Sequence, residues 1–356
     1  MTIKSYRSCF VIILFILLIQ ACKKQEALPD NYLDKPVCSG IFIPKPHSSN
    51  VVGFYPSWKE DVMPVSAIRW DKLTRVVYAF AIPNVDGTLS IPLFSTGALV
   101  DSAHAHGVEV YFSVGGGDGS GNFPGMAKNE QSRNRFIKEV RQYIFENCLD
   151  GVDIDWEYWS GYATNTVVPA ESEALVTLLR DLRAQLAPFK LGISIDVGGS
   201  DWAGKHFYDE VTDYADDLQM MGYDFSGTWS APGPHSSFDD AIGSGNSVNS
   251  TGLAYWVNYR GWPKEHLLLG VPFYGKDFDN QGGAYIDYSQ ILGLFPGAYL
   301  TDRVNNIYYD GTLTMARKTQ YVVDNNYSGI MIWEITQDGS VDSTSLLGAI
   351  DRTLHP

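Results

Sequence analysis

A repeated alternation of short apolar runs with longer amphipathic stretches limits this chain to few folds. Eight runs rich in β-branched and aromatic residues follow residue 50: Val51–Tyr55, Arg75–Ala81, Val108–Val114, Gly151–Trp156, Leu191–Val197, Asp217–Tyr223, Leu267–Phe273 and Gly329–Ile335. Runs of this length and composition predict buried β-strands. Their recurrence through the rest of the chain indicates one domain rather than two.

Amphipathic helices are predicted between these strands. Arg133–Asn147 and Glu171–Ala187 each place large apolar side chains along one face, and Leu313–Asn325 and Ser343–Thr353 do so less regularly. Strand and helix alternating eight times is the plan of a (β/α)8 TIM barrel, and the ~300 residues involved are a normal size for one. A doubly wound open sheet is the alternative, but no GxGxxG segment follows the first strand.

The chain divides into three predicted parts: a signal peptide at residues 1–21, a tether at 22–50 and a single globular domain at 51–356. The tether contains four prolines and little apolar periodicity, which is typical of an extended spacer. Within the domain, only residues 275–325, between the seventh and eighth strands, are long enough to form a small insertion.

The N-terminus carries a targeting signal. Lys4 and Arg7 precede an apolar run, Phe10–Ile19, that is too short to span a bilayer but suits a signal peptide. Residues 19–22, Ile-Gln-Ala-Cys, resemble the lipobox of bacterial lipoproteins, which implies cleavage before Cys22 and acylation of its thiol. The resemblance predicts a protein anchored by lipid to a membrane of the bacterial cell envelope, in the periplasm or at the surface. A plain signal peptide with an incidental cysteine is the alternative.

Processing of this signal can be tested with globomycin, which inhibits the peptidase that cleaves lipoprotein signals. We expect treated cells to accumulate the longer precursor, because cleavage is predicted just before Cys22. Immunoblots of the membrane and soluble fractions would measure this. Precursor size and membrane association that do not change under globomycin would contradict the lipoprotein prediction.

The charge balance limits the partners of the protein. Its formal net charge is −15, from 26 basic and 41 acidic residues. Nucleic-acid binding requires clustered Lys and Arg, so we expect no nucleic-acid partner. A neutral polymer or a small neutral molecule is the expected ligand, and the protein is expected to be a monomer.

Two of the four cysteines lie outside the signal and the lipid site, at Cys38 and Cys148. They are able to pair in an oxidising periplasm, but two lone cysteines do not make a disulfide framework. Because Cys148 lies beside Phe145 and Leu149, we expect it to be a buried free thiol. No Cys/His spacing indicates a zinc site.

Residues 150–157, Asp-Gly-Val-Asp-Ile-Asp-Trp-Glu, hold four acidic side chains within one predicted strand and its end. Side chains of a strand alternate between its two faces. Asp153, Asp155 and Glu157 are therefore expected on one face, and the apolar residues between them on the other. In a barrel the acidic face points inward, and Glu157 lies at the C-terminal mouth, where barrel enzymes have their active sites.

Three carboxyl groups crowded inside a barrel are not all ionised at neutral pH, because burial and like charges raise their pKa values. A protonated carboxyl is what the leaving oxygen of a glycosidic bond needs. The spacing therefore predicts that Glu157 is a general acid, while Asp153 and Asp155 hold and tune a shared proton.

Two other interpretations of this run are weaker. A solvated acidic face does not explain the alternating apolar residues, among them Trp156 between two acids. A calcium-binding EF-hand loop counted from Asp153 would have Tyr158 where glycine is needed and Thr164 where a bidentate Glu belongs. No metal and no other cofactor is predicted.

The pattern DxxDxDxE on a fourth barrel strand resembles the signature of glycoside hydrolase family 18, the chitinases and their relatives. Four more segments resemble family motifs in the same order: Ser113–Gly116 (SxGG), Gln219–Asp224 (QxMxYD), Gly270–Gly275 and Gly329–Glu334. The resemblance covers the chain from about residue 51 to residue 354 and implies the barrel fold.

Membership of this family implies substrate-assisted catalysis, in which the 2-acetamido carbonyl of the sugar attacks the anomeric carbon and the configuration is retained. By motif, the resemblance makes Glu157 the acid and then the base, and Asp155 the partner of the acetamide N–H. It makes Asp153 the support of Asp155, Tyr223 a donor to the acetamide oxygen, and Trp333 an apolar floor beneath the sugar.

This mechanism restricts the substrate to polymers with a 2-acetamido group beside the cleaved bond. Chitin, chito-oligosaccharides, the chitobiose core of N-glycans and peptidoglycan-type chains qualify, whereas cellulose and starch do not. The predicted partner is therefore an oligo- or polysaccharide containing N-acetylglucosamine. Further substrate contacts are predicted at Asp224, Met221, Tyr55, Ser113 and Trp229.

The sequence departs from the family pattern in three places. Phe54 stands where many members have Tyr, which removes one hydrogen bond near Asp153. Gly117 replaces a Trp that often follows SxGG, and Trp159 replaces a Pro. The acid and its immediate partners are unaffected, so activity is expected. Processive degradation of crystalline chitin is not expected, because Gly117 removes one stacking surface on the leaving-group side and the insertion after strand seven is short.

Three functions are compatible with these residues. A chitinase-like endo-acting hydrolase is favoured by the Asp-Trp-Glu-Tyr run and by Trp333. An endo-β-N-acetylglucosaminidase that releases N-glycans is the second, and a non-catalytic chitinase-like lectin is the third. Lectins of this kind typically lose the acid, so the presence of Glu157, Asp155 and Tyr223 together disfavours the third.

Overall fold

A computed structural model describes residues 33–38, 42–245, 249–280 and 282–356. Eight parallel strands form its central sheet: β1 (Asn50–Pro56), β2 (Arg75–Pro83), β3 (Glu109–Gly115), β4 (Gly151–Asp155), β5 (Gly192–Gly198), β6 (Asp217–Met221), β7 (Leu267–Pro272) and β8 (Gly329–Trp333). Strand β1 pairs with both β2 and β8, which closes the sheet into a barrel. The prediction of a (β/α)8 TIM barrel is confirmed, and all eight predicted strands overlap the observed ones.

Helices surround the barrel in the described part of the chain. The α-helices are Thr96–Ala105, Phe123–Lys128, Glu130–Asn147, Pro169–Leu186, Asp201–Gly204, Phe238–Ile242, Gly252–Ala254, Tyr288–Leu294, Thr312–Asp324 and Leu346–Leu354, and a π-helical turn spans Tyr255–Tyr259. The four helices predicted from the sequence correspond to the third, fourth, ninth and tenth of these. Their apolar faces pack on the outside of the barrel in one continuous core.

The helix Glu130–Asn147 shows how local sequence sets these boundaries. It begins because the side chain of Asn129 accepts hydrogen bonds from the N–H groups of Gln131 and Ser132. It ends at Cys148, whose left-handed backbone (φ 58°) stops further helical bonding.

The barrel interior is layered. At the N-terminal end Arg75 pairs with Glu109 (2.8 Å) and Asp217 (2.5 Å), and its guanidinium lies over the ring of Tyr111. The ring of Tyr111 needs a glycine beside it, because a Cβ at Gly192 would lie 1.7 Å from its hydroxyl oxygen. Above this layer is a small apolar cluster: Val52, Phe54, Val77, Ala79, Leu268 and Met331. Phe54 of this cluster and Asp155 of β4 line the same cavity at the C-terminal mouth.

The insertion between β7 and β8 is a small antiparallel sheet. Its four strands lie in the order Ala284–Asp287, Tyr274–Asp277, Ile307–Tyr308 and Arg303–Val304. This confirms a single domain with a small insertion, and the sheet lies at the rim of the barrel mouth.

The segment before β1 lies against the N-terminal end of the barrel where the structure describes it. The N–H of Val37 donates to the carbonyl of Phe145 (3.1 Å), and that of Lys45 donates to the carbonyl of Gly107 (2.9 Å). The ring of Phe42 stacks on His104 with centroids 3.9 Å apart. The described part of the predicted tether is therefore in contact with the domain.

The predicted signal peptide and Cys22 lie outside the described residues. Among the described residues, no helix has both the length and the apolar character needed to cross a membrane.

The expectation of a free thiol at Cys148 is wrong. Cys38 and Cys148 form a disulfide, with their Cα atoms 5.7 Å apart. The neighbours of Cys148 in sequence could not show this, because the pairing depends on where residues 33–38 run. That segment lies along the helix Glu130–Asn147, where the N–H of Leu33 donates to the side chain of Gln142 (2.7 Å).

The disulfide is expected to contribute measurably to stability. It links residues 110 positions apart, and closing a loop of that length removes much conformational entropy from the unfolded chain. We expect the double variant Cys38→Ser/Cys148→Ser to lose about 2–4 kcal/mol of unfolding free energy and to melt roughly 5 °C or more below the wild type by circular dichroism.

Dithiothreitol provides the control for this experiment. It should lower the melting temperature of the wild type to that of the double variant and leave the double variant unchanged. Two reactive thiols in the unreduced wild type, or no effect of the reductant, would contradict the disulfide.

Candidate active site

The side chains of β4 alternate between the two faces of the strand as expected. Asp153 and Asp155 point into the barrel, where both are buried, while Val152, Ile154 and Trp156 pack into the outer core. Asp150, of opposite parity, instead accepts hydrogen bonds at the N-terminal end from the N–H of Val110 (2.7 Å). Strand β4 therefore places acidic side chains in the barrel interior and apolar side chains against the surrounding helices.

Asp153 is the best-compensated acid of the group. Its two oxygens accept hydrogen bonds from Ser113 on β3 (2.6 Å), Ser194 on β5 (2.6 Å) and Gln219 on β6 (2.8 Å). Complete burial raises its pKa, and the interaction with Asp196 and the hydrogen bonds from Ser113 and Ser194 counteract this. Asp153 is thus held rigidly beneath the mouth of the barrel.

Asp155 has far fewer partners. Its Oδ1 atom is buried and has no hydrogen-bond partner among the described residues. Burial, followed by the charges of Glu157 and Asp153, raises the pKa of Asp155 well above its ordinary value. Such a buried acceptor can receive an N–H from a bound molecule.

Glu157 follows the end of β4 and is fixed by its backbone. Its N–H donates to the hydroxyl of Ser120 (3.0 Å), which in turn lies 2.7 Å from the carbonyls of Gly116 and Asp155. Burial, followed by the charge of Asp224, raises the pKa of Glu157 to about 7. A carboxyl with this pKa both gives and takes a proton near neutral pH.

Met221 and Tyr223, from the end of β6, contact the same space as Glu157. Burial, and then the charges of Asp196 and Glu157, raise the pKa of Tyr223 well above its ordinary value. Its hydroxyl therefore stays protonated and can act as a hydrogen-bond donor.

Asp224, unlike Glu157, is held ionised by its neighbours. Its carboxylate accepts hydrogen bonds from Tyr274 (2.7 Å) and Tyr285 (2.6 Å), and it pairs with Lys276 (2.9 Å), while His235 Nδ1 lies 3.5 Å away. Burial opposes ionisation, but His235 and Lys276 outweigh it and hold the pKa of Asp224 well below its usual range. Three of these partners belong to the insertion after β7.

Trp333, at the end of β8, forms an apolar floor. Its ring lies 5.6 Å from Phe80 and 5.5 Å from Phe54, and Phe80 in turn lies 6.0 Å from Trp58. These rings line a cavity of about 740 Å³ that also contacts Asp155, Glu157 and Tyr223. A flat aromatic surface beneath polar groups suits the apolar face of a sugar ring.

A second cavity of about 790 Å³ lies on the other side of Glu157 and Tyr223. Its aromatic lining includes Tyr162, Trp202, Phe225 and Trp229, and the rings of Tyr162 and Trp202 stack 4.2 Å apart. Trp229 is 64% exposed. The two cavities meet at Glu157, so a chain passing through both would present one bond to this carboxyl.

Two predicted substrate contacts are placed elsewhere. Tyr55 is fully buried, donates its hydroxyl to the carbonyl of Met63 (2.5 Å) and lines neither cavity. The prediction for Tyr55 is wrong because strand parity turns it outward and Phe54 inward. Ser113 is also fully buried and contacts Asp153, so it supports the acids instead of lining a cavity. The other predicted site residues lie around or directly beneath the two cavities.

Several residues that line the first cavity were not predicted from the sequence: Trp58, Phe80, Asp196, Tyr274 and Tyr285. Asp196 could have been found, because it has the same parity on β5 as Ser194. Tyr285 could not, because it lies far along the chain and reaches the mouth only through the insertion. No group of His, Cys, Asp and Glu suited to hold a metal occurs among the residues that the structure describes.

The fold and the site together define a (β/α)8 barrel protein with an acidic centre between two aromatic-lined cavities. A family model described as "Glycosyl hydrolases family 18" matches residues 50–338. The chain therefore belongs to this family, as its motifs predicted.

Relatives and solved structures agree with this assignment. A chitinase-like effector of Moniliophthora perniciosa is 30% identical over 264 residues, which cover 68% of this chain and 59% of the relative. A chitinase from Bacteroides thetaiotaomicron of known structure is 26% identical, with a TM-score of 0.75, over 86% of this chain and 96% of its own. The GH18 chitinase ChiB of Flavobacterium johnsoniae is 26% identical, with a TM-score of 0.72, over 86% and 94%.

The matched region is only part of the curated relatives. It spans 59% to 61% of the length of three of them, the effectors of Moniliophthora perniciosa and Moniliophthora roreri and a probable chitinase 2 of Drosophila melanogaster.

The protonation of Glu157 can be measured without any substrate. Burial raises the pKa of both Glu157 and Glu334 to about 7. We expect two glutamate Cδ resonances to titrate near pH 7 by 13C NMR, and Glu157→Gln to remove one of them. Both groups bind protons more tightly when folded, so their contribution to stability is present at low pH and is lost as pH rises through about 7.

Glu334→Gln is the matched control for this titration, because Glu334 is buried by the neighbouring loop and accepts hydrogen bonds from Thr336. It should remove the second resonance and leave that of Glu157 in place. A resonance of Glu157 that titrates near the ordinary glutamate value of 4.5 would contradict the structure.

Proposed function

We propose that the protein is a retaining glycoside hydrolase that cleaves β-1,4 linkages after 2-acetamido sugars, with chitin or chito-oligosaccharides as its substrate. The observation that carries this proposal is the position of Glu157. It holds a proton near neutral pH at the junction of two aromatic-lined cavities, one of which has Trp333 as its floor. The bond between two sugars that occupy these cavities would lie at this carboxyl.

In the first step the substrate supplies the nucleophile. The acetamide N–H donates to Asp155, which has a free buried oxygen, and the acetamide carbonyl oxygen attacks the anomeric carbon. Glu157 gives its proton to the leaving glycosidic oxygen as that bond breaks. The hydroxyl of Tyr223 donates to the acetamide oxygen, and the negative charge of the acidic group balances the oxazolinium ion that forms.

In the second step Glu157, now a carboxylate, takes a proton from water. The resulting hydroxide attacks the anomeric carbon, opens the oxazolinium ring and restores the acetamide. Two inversions give overall retention, and Glu157 ends the cycle protonated as it began. The role of Asp153 is to hold Asp155 in place, and Asp224 raises the proton affinity of Glu157.

The comparisons support a chitin-like substrate, since both 26% identical structures are those of chitinases. A curated relative that is 30% identical has the name "chitinase-like effector", which favours a second candidate, a protein that binds such sugars without cutting them. Release of N-glycans by an endo-β-N-acetylglucosaminidase is a further outcome that the same site allows. The presence of Glu157, Asp155 and Tyr223 around one cavity supports catalysis over binding alone.

We also propose that the protein acts at the bacterial cell envelope, held by a lipid on Cys22. The support is the sequence of residues 19–22, since those residues lie outside the described structure. The substrate would then be an oligosaccharide that reaches the envelope.

Glu157→Gln is expected to lower kcat on N-acetylchitotetraose roughly 10²–10⁴-fold, because the amide cannot donate the required proton. Binding should persist, since the shape of the site is kept. Product analysis by chromatography and calorimetric titration of the variant would measure the two effects. The control Glu146→Gln makes the same change on the exposed face of the helix Glu130–Asn147 and should be fully active.

Parallel incubation with a high-mannose glycoprotein separates the candidate functions. Cleavage of the oligosaccharide alone supports the chitinase-like function, and glycan release supports the glucosaminidase. Binding by the wild type with no turnover of either substrate supports the effector-like function. Full activity of Glu157→Gln would overturn the assignment of the acid.

A further inference from the structure

A fourth acid faces the same interior as the acids of β4. Asp196 lies on β5 and is 2% exposed. Strands β4 and β5 pair Asp153 with Ser194 and Ile154 with Ile195, so the next position places Asp155 beside Asp196. Neighbouring strands lie about 4.8 Å apart, and these two side chains share one face. The mechanism above does not use Asp196.

The surroundings of Asp196 do not compensate a negative charge. Its Oδ1 atom accepts one long hydrogen bond from Gln219 (3.3 Å), and its Oδ2 atom has no partner among the described residues. The residues that line the first cavity include no Lys, Arg or His. An unpaired buried carboxylate is unfavourable by several kcal/mol, so such a group takes up a proton instead.

The charged and titratable groups around Asp196 act in the same direction. Asp153 and Asp155 face it from β4, with Glu157 above them, and Tyr223 faces it from the end of β6. The charge of Arg75 lowers the pKa of Asp153, but this guanidinium is itself paired with Glu109 and Asp217. Burial, and then the charges of Asp153 and Asp155, raise the pKa of Asp196 well above its ordinary value.

A neutral Asp196 is a hydrogen-bond donor, and its neighbours are acceptors. Asp153 already receives hydrogen bonds from Ser113, Ser194 and Gln219, and the Oδ1 atom of Asp155 receives none from the described residues. A hydrogen bond from a neutral carboxyl to a carboxylate is short and strong. A carboxylic acid kept neutral in an apolar site so that it can donate in this way is an established device in enzymes.

We propose that Asp196 is a positioning residue, a carboxylic acid that stays neutral and donates a hydrogen bond to the Asp153–Asp155 pair. The donation stabilises the single negative charge on that pair while the oxazolinium ion exists. No proton leaves Asp196 in the cycle. This role rests on the proposed function, because it acts through Asp155 on the acetamide of the sugar.

Asp196→Asn and Asp196→Ala test the proposal together. The amide of Asn is neutral, has nearly the same shape and donates through N–H, so Asp196→Asn should keep kcat on N-acetylchitotetraose within about 3-fold of the wild type. Asp196→Ala removes the donor and should lower kcat roughly 10–100-fold, the loss expected for one donor to a charged group. KM should change little in either variant, since the proposed role of Asp196 is exerted through Asp155.

Two outcomes would overturn the proposal. If Asp196→Asn loses as much kcat as Asp196→Ala, the reaction needs a carboxylate at this position. If Asp196→Ala keeps kcat within 3-fold, Asp196 has no role in the reaction, whatever its effect on melting temperature. Asp213, an exposed aspartate outside the barrel, supplies the control pair Asp213→Asn and Asp213→Ala, both of which should be fully active.

A titration keeps this proposal separate from the proposed function. In the wild type the Cγ resonance of Asp196, assigned by its loss in Asp196→Asn, should have the 13C shift of a neutral carboxyl at pH 7. This measurement needs no turnover, so it tests the neutral donor even if N-acetylchitotetraose is not cleaved. Absence of cleavage would contradict the proposed function but not the protonation of Asp196. A shift that reports an ionised Asp196 at pH 7 would overturn the neutral donor.

Discussion

The burial of several carboxyl groups in one closed barrel is the constraint on which the rest of the site depends. The interior of the barrel offers Asp153 three donors from three other strands and offers Asp155 and Asp196 almost none. These carboxyl groups are also shielded from water, so they cannot all be ionised, and some of them keep their protons. That shortage of compensation keeps a proton available on Glu157 near neutral pH, which is the property that the proposed chemistry requires.

Asp224 shows the opposite case at the same mouth. It is partly buried, yet it is ionised because His235, Lys276 and Tyr285 lie around its carboxylate. Its negative charge then raises the pKa of Glu157. Lys276 and Tyr285 belong to the insertion after β7. This small insertion therefore helps to set the pKa of Glu157, through the charge of Asp224.

The two ends of the barrel are specialised differently. At the C-terminal mouth, orphan oxygens and exposed aromatic rings such as Trp229 leave groups available to a ligand. At the N-terminal end, Arg75 is fully paired and the described part of residues 33–50 is fastened by the Cys38–Cys148 disulfide. The ion pairs of Arg75 and the disulfide therefore stabilise the fold at the end of the barrel opposite the site. Tight packing at that end leaves the unpaired groups at the mouth available to a ligand.

The sequence by itself determined the barrel, the inward face of β4 and the acid at its end. Each of these follows from local periodicity: eight apolar runs of strand length, and alternation of acids with Val152, Ile154 and Trp156. Only the tertiary structure decided the contacts between distant segments. It paired Cys38 with Cys148, and it brought Tyr285 to Asp224 and Asp196 beside Asp155. Those contacts depend on strand register and on the path of loops, which local periodicity does not encode.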